Sequence, residues 1–281
     1  MKCYYYLELY FTHVRIVGKG EVANKISSLL SSLGYIITGE KPNLYIVIGE
    51  IERALKFANK KVGLIFVSED GEYIIPLKGE SKGVSFISSI IADLLDSNLI
   101  TTSRFSQKGL LSVDEFAWIN ALFTRNKEKV KELNKKLLER KRLYIYADGI
   151  PLITPEEYVK TETQSEADII IGEGKCDKVI LKPIKIIVGL YYTVKIPVEV
   201  LLYSIKVTLR SLFINENRVD VILTPANDNN IKQISRLLNA EHKVIDADTC
   251  EDMLYSYGGS ILLKSARRAY GVTSCLAGLY L

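Results

Sequence analysis

Histidine and clustered cysteine are what this sequence has least of. Only 2 histidines occur in 281 residues, and the four cysteines, Cys3, Cys176, Cys250 and Cys275, stand far apart with no C-x-x-C pair. That spacing argues against a structural zinc site or an iron–sulfur cluster held by the chain. Charge of one sign is scarce too: 37 Lys and Arg face 33 Asp and Glu, a net +4, which is too small an excess to mark a nucleic-acid binder. Any basic function has to be local. Long apolar runs are also missing. The greasiest region, 184–202, is broken by Lys185, Lys195, Pro197 and Glu199, so it falls short of a membrane span. The opening MKCYYYLELYF contains Glu8 and lacks a small-residue cleavage site, so it reads as a strand rather than a signal peptide. Cytoplasmic residence is the default expectation.

What is present is enough apolar material, 48% of the chain, to build real cores. An apolar run at 14–17 meets Gly18 and Gly20, after which Val22, Ile26, Leu29, Leu30 and Leu33 recur at helical spacing. Strands are expected at 44–48, 62–67 and 73–77, the last two joined by a hairpin-like turn at Glu69, Asp70 and Gly71. A helix from Ser85 onward carries Ile87, Ile90, Ile91, Leu94 and Leu95, and another at 113–123 carries Phe116, Trp118, Ile119 and Leu122 and would close this first domain. A three-layer α/β domain is the simplest way to bury these faces. From Arg125 to Arg142 a Lys- and Glu-rich amphipathic helix marks a boundary, followed by a strand at 143–146, a polar stretch to Glu166 and an apolar run at 169–171. The α/β rhythm then restarts: strand 185–189, a helix opened by Pro197, strand 219–223, a helix through Leu238, and short elements to the end. The expected division is 1–123, an α/β domain; 124–183, a small central region; and 184–281, a second three-layer α/β domain.

Four places could carry chemistry, each beside a plainer reading. Gly18, Gly20 and Ala23 fit G-x-G-x-x-A between strand and helix, which reads first as a tight turn, with a dinucleotide or another ligand left open. In GEYIIPLKGESKGVS, Pro76 and Leu77 end a strand, Gly79 and Gly83 relax the backbone, and Ser85 can cap the next helix. Loops at such strand ends bind ligands, although a connection of this kind needs none. Further on, Ile100, Thr101 and Thr102 end a strand, and Asp114 and Glu115 open a helix, where acids also serve as ordinary dipole-matched caps. These two loops could meet across one cleft. Near the end, Lys264, Arg267 and Arg268 would suit a phosphate or polycarboxylate, or form a solvated turn. Cys275 reads as buried and has no activating histidine near it.

The stretches VSEDGEYIIPLKGESKGVSFISSIIADLL and ITTSRFSQKGLLSVDEFA together resemble the cobalamin-biosynthesis CbiG family, the cobalt-precorrin-5A hydrolases of the anaerobic pathway. The likeness rests on Ile75, Pro76, Leu77, Gly79 and Gly83, and on Thr101, Thr102, Gly109, Val113 and Asp114. It implies α/β domains at both ends and a small region between them. It also implies a reaction that opens the ring A acetate lactone, releases acetaldehyde and leaves cobalt-precorrin-5B. The substrate is an acidic tetrapyrrole, flat and carboxylate-rimmed, suited to a wide cleft with basic edges, and it brings its own cobalt, so no further cofactor or protein-bound metal is implied. Glu80 is the expected base and Lys82 the anion stabiliser, with Thr102 and Asp114 able to share the base and oxyanion roles. Gly79, Gly83, Ser85, Thr101, Lys264, Arg267 and Arg268 are the expected substrate contacts.

The chain also departs from the family pattern. Glu80 stands where the family has histidine and Ser85 where it has asparagine, residues 189–195 take the place of a glycine, cysteine and arginine motif, and the polar loop 224–230 takes the place of the family's lysine and acidic pair. A corrinoid binder without catalysis, or a structural partner of a neighbouring pathway enzyme, are the alternatives. The 17 tyrosines would suit a subunit contact such as a homodimer.

Overall fold

The computed structural model describes residues 13–79, 83–101, 103–124, 127–174, 178–212, 214–215, 217–258 and 261–279, with backbone alone for Lys127 and 261–265. The described residues form a mixed α/β structure with three sheets. They divide into two compact units. One runs to Ser31 and resumes over Ile36–Lys182, and the other joins Ser32–Tyr35 to Pro183–Leu281. No helix among the described residues is long and apolar enough to cross a membrane.

The first sheet is built from β1 (His13–Val17), α1 (Glu21–Ser32), β2 (Ile36–Ile37), β3 (Leu44–Ile48), α2 (Ile51–Leu55), β4 (Gly63–Val67), β5 (Tyr73–Lys78), α3 (Val84–Leu95) and β6 (Asn98–Leu99). Its strand order is β2-β1-β3-β4-β5-β6. Every residue of β3 and β4 is buried, which is why LYIVI and GLIFV are continuous apolar runs rather than alternating ones. β5 returns antiparallel to β4 through the turn read at 69–71. Pro76 costs β5 little, because β6 pairs only with Tyr73 and Ile74 and needs no amide at position 76.

Next come α4 (Arg104–Gln107), α5 (Val113–Ile119), β7 (Leu122–Thr124), α6 (Lys127–Arg140), β8 (Leu143–Ala147), β9 (Tyr158–Lys160), β10 (Ile169–Ile171) and β11 (Val179–Pro183). The second sheet has the order β7-β11-β10-β8-β9. Helix α5 faces two ways, because its Trp118 stacks on Phe86 of α3 while other residues turn to the second sheet. Its Val113, Phe116 and Ala117 pack with Val130 and Leu137 of α6 and with Leu143, Ile145 and Ile169, so this side of it belongs to the second sheet's core. The stretch after 147, read as merely polar, contains β9, and Phe116 stacks on Tyr158 at 4.1 Å.

The second unit holds β12 (Lys185–Tyr191), α7 (Val198–Arg210), β13 (Val221–Thr224), α8 (Asn229–Leu238), β14 (Glu241–Val244), α9 (Cys250–Ser256), β15 (Ile261–Ala269) and β16 (Val272–Leu279). The order is β14-β13-β12-β16-β15, parallel from β14 to β12, with β16 antiparallel to β12. β15 and β16 form one hairpin in which Ala269 faces Val272. Its two turn residues, Tyr270 (φ 51°) and Gly271 (φ 80°), are both left-handed, the geometry that matches strand twist in a two-residue hairpin.

Candidate functional site

Gly79 and Gly83 have φ of 92° and 91°, and Val84 N–H donates to Gly79 O at 3.3 Å across the loop between β5 and α3. Glu80 and Lys82 lie outside the described residues, as does Thr102. Gly83, rather than Ser85, is the N-cap of α3, and no side chain caps that helix. Gly83 has a packing reason to be glycine: a Cβ there would stand 2.6 Å from Cε2 and Cζ2 of Trp118, whose ring stacks on Phe86 at 5.0 Å. Ser85 sits in the first turn of α3, where its Oγ is buried without a hydrogen-bond partner among the described residues, as is the Oγ of Ser88 one turn on. Buried hydroxyls left unpaired in this way carry a cost that a ligand or water could relieve.

Thr101 is half-buried just beyond β6. Asp114 accepts a hydrogen bond from Asn134 Nδ2 at 2.9 Å, while Asn134 Oδ1 accepts from Val113 N at 2.8 Å, so one α6 side chain holds the first turn of α5. Glu115 completes a capping box with Ser112. Both acids therefore have structural work at a helix start, in line with their plainer reading.

At the carboxyl end of the first sheet, Gly18, Lys19, Ile48, Gly49, Glu50, Arg53 and Glu69 line an open cleft of about 550 Å³. It lies where the strand order reverses between β1 and β3, a usual place for ligands in open α/β sheets. The charges around it are mixed. Gly18 also has a packing reason, since a Cβ there would meet Ile48 Cβ at 2.8 Å.

The second unit has a cleft of about 450 Å³ at the carboxyl ends of β12 and β13. One wall is 192–195, following β12; the other is 226–230 with Lys232, leading into α8. Tyr192 Oη donates to Asp228 Oδ2 at 3.1 Å, and Asp228 Oδ1 accepts from Asn230 N at 2.8 Å as the N-cap of α8. Asn230 Nδ2 donates back to Ile196 O at 2.8 Å, tying the walls together. Burial, then the Asp228 carboxylate, pushes the Tyr192 phenol well above its ordinary value, so it stays a donor.

Behind the second wall, Thr224 Oγ1 donates to Ala226 O at 2.8 Å and lies 2.8 Å from His242 Nε2. A hydroxyl has one proton to give, so His242 donates through Nε2 and keeps Nδ1 as acceptor. Burial first, and Lys232 second, lower the His242 pKa, with Asp228 opposing. The imidazole is thus neutral at pH 7. Among the described residues neither the Lys195 nor the Lys232 side chain has an ion-pair or hydrogen-bonded partner. The sequence reading named these two loops only as departures from a pattern; what could have flagged them is two polar segments directly following two buried strands.

Lys264, Arg267 and Arg268 lie along β15, a strand and not a turn, with the Lys264 side chain outside the described residues. Arg267 pairs with Ser274 and Arg268 with Thr273, so as neighbours in a strand they face opposite sides of the sheet. The cluster is split between two faces rather than gathered on one. Cys275 is buried as read, but its sulfur is joined to Cys250 in a disulfide with Cα atoms 6.0 Å apart. Gly189 makes room for it: a Cβ there would lie 2.7 Å from Cys275 Sγ and 3.0 Å from Cys250 Sγ. No group of three His, Cys, Asp or Glu among the described residues could hold a metal ion.

No protein-family model matches the chain. No curated protein matches its sequence. Among solved structures, a cobalamin biosynthesis protein G homolog from Sulfolobus solfataricus, so described provisionally, aligns over 97% of this chain and 99% of its own, at 19% identity and a TM-score of 0.63. CobE, a protein from the cobalamin biosynthetic pathway, aligns over 35% of this chain and 92% of its own at 15% identity and a TM-score of 0.31. Cobalamin biosynthesis protein chiG from Agrobacterium tumefaciens aligns over 34% and 99% at 11% identity and a TM-score of 0.30. At these identities the full-length likeness to the Sulfolobus protein is one of fold: the same mixed α/β architecture from end to end.

Proposed function

We propose that this chain is a cobalt-precorrin-5A hydrolase of cobalamin biosynthesis, opening the ring A acetate lactone and releasing acetaldehyde to give cobalt-precorrin-5B. The observation that carries the reading is the cleft of the second unit. Segments 189–195 and 224–230, which stand with different residues in the places of the family's C-terminal motifs, supply its two walls through 192–195 and 226–230. The fold likeness to a cobalamin biosynthesis protein G homolog over 97% of the chain supports it further. The cobalt is part of the substrate. Its peripheral carboxylates would find Lys195 and Lys232 at the cleft.

Lactone hydrolysis needs a water deprotonated as it attacks the carbonyl carbon and a donor or cation aimed at the oxyanion that forms. Glu80 is our base, with Lys82 and Thr102 stabilising the oxyanion, and Gly79, Gly83, Ser85 and Thr101 as substrate contacts. The Ser85 hydroxyl, buried without a partner among the described residues, supports this assignment, because it stands where the family pattern carries a polar site residue. Asp114 fits a supporting role better, since Asn134 already holds its carboxylate. That same tether favours the second reading, a corrinoid binder without turnover. Incubating the chain with cobalt-precorrin-5A and trapping acetaldehyde separates the two. Release that disappears in Glu80→Gln supports the hydrolase and its base, undiminished release in that variant removes Glu80 from the mechanism, and binding without release leaves only the binder.

A further inference from the structure

We propose that the tip of the β15–β16 hairpin and the outer side of α7 form an aromatic shelf on which the flat face of an anionic macrocycle stacks, an assignment that rests on the corrinoid reading above. Tyr270, at the hairpin tip, is 74% exposed, and Tyr203 of α7 is 49% exposed. Their ring centroids are 6.1 Å apart with planes at 69°. An edge-on pair leaves ring face open to a third flat partner. The tip adjoins the cleft wall: a Cβ on Gly271 would lie 3.5 Å from Ile196 Cδ1, and Ile196 follows the 192–195 segment directly. That segment adds Val194, 62% exposed, to the apolar surface at this end of the sheet.

Cations edge the same surface. Lys195 is exposed beside Val194, and the half-buried Arg267 lies on the α7 face of β15, because it pairs with Ser274, whose hydroxyl is 2.7 Å from that of Thr208 in α7. Among the described residues neither side chain has an ion-pair or hydrogen-bonded partner. Exposed tyrosines give apolar area with few rotamers to freeze, and unpaired Lys and Arg recognise carboxylates, the Arg bidentately. Together they select a ligand with an apolar face and carboxylates at its rim. A single-stranded nucleic acid would also stack on tyrosine, but it needs a basic track along its backbone, and the net charge of +4 is modest for that.

The test is equilibrium dialysis of the full chain against cobyrinic acid, a cobalt corrinoid with free carboxylates, followed by its absorbance. Tyr270→Asn keeps a residue that tolerates the left-handed backbone at the tip, and Tyr203→Gln keeps a good helix former on an exposed face, so circular dichroism should be unchanged for both. Each is expected to weaken binding by about 2- to 12-fold. Lys195→Gln and Arg267→Gln should each weaken it by about 2- to 5-fold at low salt, with the difference shrinking as salt rises. The methyl ester of the same corrinoid should bind less tightly than the acid. If wild type binds and the tyrosine variants bind equally well, the shelf is wrong while the corrinoid reading stands. Equal affinity for acid and ester overturns the cationic rim. A wild type that ignores the corrinoid, or that prefers a short oligonucleotide, overturns both the shelf and the reading beneath it.

Discussion

Removing the disulfide should cost the second unit as much stability as truncating one of its fully buried core side chains. Cys250 and Cys275 are 25 residues apart in sequence. For a loop of that length the chain-entropy relation gives about 12 cal/mol/K lost from the unfolded ensemble, or about 3.5 kcal/mol at 25 °C. Spread over a unit of domain size, that is a fall in melting temperature on the order of 15 to 25 °C. The perturbation is Cys250→Ala with Cys275→Ala, since serine would leave buried hydroxyls. The assay is urea unfolding followed by far-ultraviolet circular dichroism, with and without reductant. Wild type should lose its high-urea transition when reduced, and the double variant should not respond to reductant. The neighbouring glycine gives a second reading of the same geometry. Gly189→Ala sets a methyl group against both sulfurs and should cost roughly 1 to 3 kcal/mol in the oxidised protein, but clearly less once both cysteines are alanine. Oxidised and reduced wild type with the same midpoint, or an equal cost of Gly189→Ala in both backgrounds, would refute this account of the core.

Three further outcomes are expected. Gly83→Ala places a side chain at φ 91° and 2.6 Å from the Trp118 ring, so it should destabilise the first unit by roughly 2 to 5 kcal/mol and shift the emission of the only tryptophan; a melt within a degree of wild type would contradict the packing. Asn134→Ala removes the bonds to Val113 N and Asp114 and should cost about 1 to 2 kcal/mol by urea titration, whereas Asn134→Asp should keep the bond to Val113 N and repel Asp114. His242 has a folded pKa below its ordinary value, so the unfolded chain takes up its proton first; its contribution is complete above about pH 6.5 and is lost as pH falls through the folded value. Urea midpoints should therefore drop more steeply from pH 7.5 to pH 5 in wild type than in His242→Gln, and parallel curves would contradict the assignment.

Much of the fold was legible where local pattern and burial agree. The continuous runs of β3, β4 and β12 announce strands buried on both faces, and Pro197 marks the start of α7 from its cap position. The length of β15 is hidden in the sequence because Lys264, Arg267 and Arg268 interrupt the apolar signal, as happens on an edge strand whose faces are only partly covered. The partner of α5 could not be read at all: periodicity says that a face is buried and is silent on which sheet buries it. Distance along the chain hid the rest. Gly83 answers to Trp118, Gly189 to two sulfurs far downstream, and Asp114 to an asparagine on the next helix. The candidate site was legible as a set of loops at strand ends, whereas the pairing of Tyr192 with Asp228 across a cleft needed the sheet order to bring those loops together.

The central claim is that this chain turns over a corrinoid lactone, and acetaldehyde is its most direct witness. Supplied with cobalt-precorrin-5A, the purified chain should release the two-carbon fragment in step with the appearance of cobalt-precorrin-5B. Unchanged substrate with no acetaldehyde above the no-protein background would contradict it.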